Sequence, residues 1–294
     1  MANNTSLAVY QVENALKVTD ALGAYLNGDV EPSIALCDAH VVWRSIAEPE
    51  HAPFGGVYHG PGGVRSFFGK MFGAYHILEP RIVDIIPAGD EVLHVMKLQA
   101  VKIDGSADGA AYVVGRWRFQ HGAVVSYTDY FNVPASIQTS EHARAKGAKP
   151  VTRDSSFAIY QNENAVLVLD ILTAYRAGNL EPLFKRLHPD VAWRSLSEPH
   201  HAKFGGLFRG RDAVKTFFRR LSESLTMEEY RVIDVLPAGH ETISVAECFV
   251  HVVGDPARKA CIRLVNVWTF DGGMVTAMTE YFNVPAYRAQ LKLD

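Results

Sequence analysis

Glu48 and His51 stand three residues apart in the stretch EPEHAPFGGVYHG, and Glu198 and His201 repeat that spacing in EPHHAKFGGLFRG. An imidazole with its ordinary pKa of ~6.5 gives or takes a proton at neutral pH. A glutamate so close in a turn-rich loop could hydrogen-bond the ring, orient it and raise its basicity. The plainer reading makes both side chains solvated loop residues, and makes the Gly-Gly pair a bend that needs positive φ. A second set lies near the end of each half. Tyr130 and Asn132 are two apart in a strand-like run, as are Tyr281 and Asn283, so each pair shares a face. Facing a pocket, a tyrosine hydroxyl and an amide could hold an oxygen where negative charge develops. Asp129 and Glu280 would then point the other way, to solvent or a domain interface.

Trp43, Trp117, Trp193 and Trp268 lie on strand-like runs. Their default role is core packing, and stacking on an aromatic or polycyclic ligand is the alternative. Arg44 and Arg194 follow the first Trp of each pair, so one of the two types lines any pocket and the other faces away. An arginine inside would suit an anionic or enolate intermediate. The adjacent His200 and His201 with Glu198 are too weak a pattern for a metal site. Three cysteines without CxxC spacing suggest neither a zinc site nor a disulfide framework.

The same offsets run through the whole chain. Trp43 recurs as Trp193, VVWRS as VAWRS, IIPAG as VLPAG and DYFNVPA as EYFNVPA. The repeat is too long for a solenoid unit, so the sequence reads as two copies of one domain. The expected boundaries are residues 1–136 and 157–294, with a polar linker over 137–156. The 294 residues are 48% hydrophobic and 21% charged, with net charge −3. That is enough apolar material for a core in each half, and no basic stripe for nucleic acid or a membrane surface. No apolar run reaches the ~18 residues of a membrane span, and the first residues do not read as a signal peptide, which points to the cytoplasm.

Within one copy, Val12, Leu16, Leu22 and Leu26 have helical spacing, and Asn27-Gly28 marks a stop. Pro32 suits a short second helix and Pro61 a third. HVVWRS reads as a strand, and RIVDIIP, EVLHVMKLQAVKI, AAYVVGRWRF and VVSYTDYFNV read as four more. Asp104-Gly105 and His121-Gly122 are turns between them. Helices first and an antiparallel meander after is an α+β order. A curved sheet covered by helices tends to leave a cavity, where small molecules bind.

That order, with VVWRS, FGGVYHG, the Phe-Phe helix and YFNVP, resembles the SnoaL-like branch of the nuclear transport factor 2-like superfamily, over most of each copy. The resemblance implies two tandem cone-shaped α+β barrels, each of three helices on a curved, mainly antiparallel sheet, joined as an intrachain pseudo-dimer. It implies a cofactor-independent lyase or isomerase working on a hydrophobic small molecule that bears hydroxyl or carbonyl groups, without nucleic acid or membrane partners. Further association into homo-oligomers is left open. A non-catalytic binding or dimerisation module and an epoxide-type hydrolase are the alternatives. The family's terminal Tyr-Phe-Asp is altered here, because Asn132 and Asn283 replace the acid. The general base of the ketosteroid isomerases has its nearest match at Glu48 and Glu198, and their first-helix tyrosine has no evident counterpart.

Overall fold

The computed structural model describes residues 4–47, 49, 52–105, 108–131, 156–197, 199 and 202–293, without the side chains of 4–12, 108 and 156–162. The chain divides into two compact units, Met1–Thr152 and Arg153–Asp294. The linker expected over 137–156 lies outside the described residues except for Ser156, which opens a helix.

In the first unit α1 (Asn4–Tyr25) and α2 (Glu31–Ala35) precede β1 (Cys37–Ser45), β2 (Gly56–His59) and α3 (Gly60–Ala74). Then come β3 (Tyr75–Ala88), β4 (Glu91–Lys102), β5 (Asp108–Gln120) and β6 (Ala123–Phe131). The second unit repeats this as α4 (Ser156–Arg176), α5 (Glu181–Arg186), β7 (Leu187–Ser195), β8 (Gly206–Arg209) and α6 (Arg211–Ser224). It continues with β9 (Leu225–Ala238), β10 (Glu241–Val252), β11 (Asp255–Asp271) and β12 (Met274–Tyr281), and ends in α7 (Val284–Leu291).

Each unit has one six-stranded sheet, in the order β2-β1-β6-β5-β4-β3 and β8-β7-β12-β11-β10-β9. All neighbours are antiparallel except β1 with β6 and β7 with β12. Short turns force the antiparallel meander. His121 and Gly122 both have positive φ, as do Gly272 and Gly273, the backbone that matches the twist of a tight hairpin. The strands β2 and β8 are not evident in the sequence, where this segment reads as loop. Trp43 pairs with Tyr58 and Trp193 with Phe208 across them. Entry into each needs a glycine: Gly56 and Gly206 both sit at φ 108°, a region costly for other residues.

On α1 the buried stripe is Asn14, Val18, Ala21 and Leu22, whereas Leu16 is exposed. Two residues from Val18 is about 200° around a helix, so an apolar Leu16 still faces outward. In both units the helices cover one face of the sheet. A cluster of aromatic rings fills part of the space between, with Trp43 stacked on Tyr127 at 3.8 Å and edge-on to Trp117 at 5.4 Å. Trp193 meets Trp268 edge-on at 5.8 Å in the second unit. None of the described helices is long and apolar enough to cross a membrane.

Candidate functional site

The aromatic rings leave a cavity in each unit, about 860 Å³ in the first and 720 Å³ in the second, mouths included. All four tryptophans line them. Because side chains alternate across a strand, the residues that share the tryptophan face of β6 are Tyr127, Asp129 and Phe131. On β12 they are Met278, Glu280 and Phe282 just beyond the strand end.

The expectation that Asp129 and Glu280 face outward is therefore corrected: they are the carboxylates inside the cavities. Tyr130 and Tyr281 take the opposite face, buried there but not lining either cavity. Arg44 and Arg194 also point away from the cavities and are exposed, as alternation with an inward Trp requires. Asn283 is a helix cap. Its side chain accepts a hydrogen bond from the Ala286 N–H at 3.0 Å and starts α7, whose Tyr287 and Leu291 are buried. Replacing Asn283 with Ala should cost about 1 kcal/mol of second-unit stability in denaturant titration. Glu48, His51, Asn132, Glu198 and His201 lie outside the described residues. Their neighbours reach the site all the same, because Ala52 and Phe54 line the first cavity and Phe204 the second. Among the described residues no cluster of three or more His, Cys, Asp or Glu could hold a metal ion.

Burial dominates the electrostatics. It pushes the Asp129 carboxyl up to about 7, with Ser45 and backbone N–H groups pulling only partly the other way. Glu280 is pushed up to about 7 by the same cause, against a hydrogen bond that Ser195 Oγ donates to Oε1 at 3.0 Å. A carboxyl poised there can serve as base or acid at neutral pH. Tyr25 closes α1 and lines the first cavity, and Tyr175 does the same from α4. Both hydroxyls are held neutral by burial, reinforced by Asp129 and by Cys248 and Glu280 respectively. The sequence reading singles out neither of these cavity-lining tyrosines.

Beside Asp129 the first cavity carries a built polar group. Trp117 Nε1 donates to His94 Nδ1 at 2.9 Å, and burial lowers the His94 pKa to about 3. The ring is thus neutral, with its proton on Nε2. Gly115 makes room for this arrangement. A Cβ there would collide with His94 Cε1 and would stand 2.6 Å from its Nδ1 and 2.7 Å from the Tyr127 hydroxyl. Gly115→Ala should therefore destabilise the first unit by about 1–3 kcal/mol through overpacking, seen as a lowered unfolding midpoint. Four buried polar atoms in the two cavities have no hydrogen-bond partner: Trp43 Nε1, Asp129 Oδ1, Trp193 Nε1 and Asn266 Oδ1. Such atoms are costly unless a ligand meets them.

Several differences between the copies fall outside the cavities. Glu247, in the place of Lys97, pairs with Arg263 at 2.7 Å and with Arg231 at 3.3 Å, and the Nδ1 of His251, in the place of Val101, lies 3.1 Å from Glu228 Oε1.

Comparison with known proteins agrees with the duplicated topology. The family described as SnoaL-like domain matches twice, over residues 18–127 and 168–278. A search of curated proteins finds no match. Among solved structures, an NTF2-like protein of unknown function from Burkholderia pseudomallei is 22% identical, with TM-score 0.41, over 44% of this chain and 97% of its own. TerC co-crystallized with polyporic acid is 21% identical, with TM-score 0.40, over 44% and 98%. An LEH-like epoxide hydrolase from M. tuberculosis is 17% identical, with TM-score 0.37, over 45% and 90%. Each matches the length of one copy, and the likeness is one of fold alone.

Proposed function

Since the chain belongs in both halves to the SnoaL-like domain family, we propose that it is a proton-transfer enzyme, a lyase or isomerase acting on an apolar small molecule. The observation that carries this reading is the buried carboxylate at one strand position in both copies, Asp129 and Glu280, raised to about 7 in an apolar cavity. In its ionised form the carboxylate takes a proton from a carbon next to a carbonyl. The enolate oxygen so formed is met by the unpartnered Trp43 or Trp193 N–H, with the neutral Tyr25 or Tyr175 hydroxyl as a second donor. The carboxylic acid then returns the proton to another carbon, which moves a double bond, or to a departing hydroxyl, which leaves as water.

The tryptophans provide the flat apolar walls that suit an aromatic or polycyclic frame. His51 and His201, with Glu48 and Glu198, remain proposed pocket-rim groups that could pass protons to and from solvent. An epoxide-type hydrolase fits less well, because that chemistry wants an arginine between two acids, and no arginine lines either cavity among the described residues.

Deuterium incorporation tests the reading. The protein is incubated in D₂O with a panel of apolar ketones, such as 2-tetralone and steroid enones, and exchange is read by mass spectrometry. Catalysed exchange that Asp129→Asn or Glu280→Gln removes supports it. No catalysed exchange with any ketone moves the assignment to a binding module.

A further inference from the structure

The two cavities share two tryptophans, a first-helix tyrosine and a carboxyl at equivalent positions, and among their differences one set of positions is coordinated. His94, Gly115 and Tyr127 in the first are Ser244, Asn266 and Met278 in the second. The changes depend on each other. Gly115 faces Asp129 directly across the β5–β6 pair, and the space that its missing Cβ leaves is taken by the His94 ring and the Tyr127 hydroxyl. In the second unit Asn266 faces Glu280 across β11–β12 and brings its own side chain into that space. The position of His94 shrinks to Ser244, whose Oγ accepts from Trp268 Nε1 at 2.9 Å, and the position of Tyr127 becomes the apolar Met278.

The swap changes the hydrogen-bonding demand. The first cavity is rich in donors: the Trp43 N–H, the neutral Tyr25, Tyr75 and Tyr127 hydroxyls, and a neutral His94 that carries its proton on Nε2, beside the unpartnered Asp129 Oδ1. In the second, Ser244 and Met278 stand in the places of His94 and Tyr127, and Tyr230 is the tyrosine beside Tyr175. Asn266 hydrogen-bonds Tyr230, which stands where the first unit has Pro80, and its Oδ1 is left buried without a partner. Asn266 is only 4% exposed and lines the cavity. A buried carbonyl of that kind favours a ligand that donates to it and rejects one that cannot. The unpartnered tryptophan N–H is common to both cavities, so it discriminates nothing.

We propose that the second cavity is a binding site of its own, selective for an apolar ligand bearing a hydroxyl or amide N–H that donates to Asn266 Oδ1. The proposal rests on reading both cavities as ligand sites, and not on proton transfer within them.

Calorimetric titration of the full chain with 2-naphthol, its methyl ether 2-methoxynaphthalene and the ketone 2-acetylnaphthalene tests it. Asn266→Leu should weaken 2-naphthol about tenfold at one site. It should leave the ether and the ketone within about twofold. Asn266→Ser, which keeps an acceptor, should retain most of the preference, and thermal unfolding checks that both variants fold. A 2-naphthol affinity untouched by Asn266→Leu, an equal loss for all three probes, or no binding of any probe overturns the proposal. Because the readout is binding, a failed deuterium exchange leaves it standing. Its own failure leaves exchange at Asp129 intact.

Discussion

A chain carrying both Asp129→Asn and Glu280→Gln should exchange ketone protons about 10²–10⁴-fold more slowly than the wild type, the usual contribution of a positioned general base. Each single substitution should abolish only the exchange that its own cavity supports, so the two single variants apportion the activity between the copies. The pH profile gives a second reading. A base held near 7 makes the wild-type rate rise with pH through about 7 and level off above it. The double variant should lose that limb. If the rate and the limb both survive in the double variant, the carboxylates are not the base, and the His51 and His201 loops become the place to look. Substituting those histidines alone should leave a limb near 7 in place, because the carboxylates set it.

The sequence showed the duplication, the α+β order and the meander, because these are written in long-range identity, in strand alternation and in Gly-containing turns. It also showed that Tyr130 and Asp129 occupy opposite faces. What it did not show was which face was inside. Alternation fixes relative orientation only, and the apolar residues of β6 occupy both faces, with Tyr130 as buried as Tyr127 and Phe131. A usable signal was nevertheless present. An acidic residue recurs at the same place in two otherwise uncharged strands, as Asp129 and Glu280, and solvent exposure alone gives no reason for that. The pairing of β1 beside β6 supplies the missing link, since it sets Trp43 against Tyr127 and so ties the tryptophan face to the acid. That contact is parallel and joins strands some eighty residues apart, which no local pattern announces. Tyr25 was missed for a related reason. It closes α1 one residue before the apolar Leu26, which is partly exposed and carried the helical pattern past it.

Stability against pH should separate the two units, because the first buries a histidine, His94, near its carboxyl and the second has Ser244 in that place. Asp129 ionises near 3.8 in the unfolded chain and near 7 in the folded one. Between those values the unfolded chain has released its proton and the folded one has kept it. Folding therefore loses about 1.4 kcal/mol per pH unit as pH rises, up to about 4 kcal/mol above pH 7. His94 does the opposite. It is neutral in the folded state down to about 3 but takes a proton near 6.5 when unfolded, so its contribution is lost as pH falls from 6.5 toward 3. The two slopes nearly cancel in the first unit. In the second, Glu280 moves from 4.5 to about 7 with Ser244 in the place of the histidine, and its slope stands uncompensated. Asp129→Asn should thus leave the first unit acid-sensitive, its stability relative to wild type climbing from about pH 4 to 7 and then holding. Glu280→Gln should instead flatten the second unit over pH 4.5–7. Urea titrations at half-unit pH intervals measure both. A wild-type-like slope in Glu280→Gln would mean that Glu280 is not the buried, proton-holding carboxyl on which the chemistry depends.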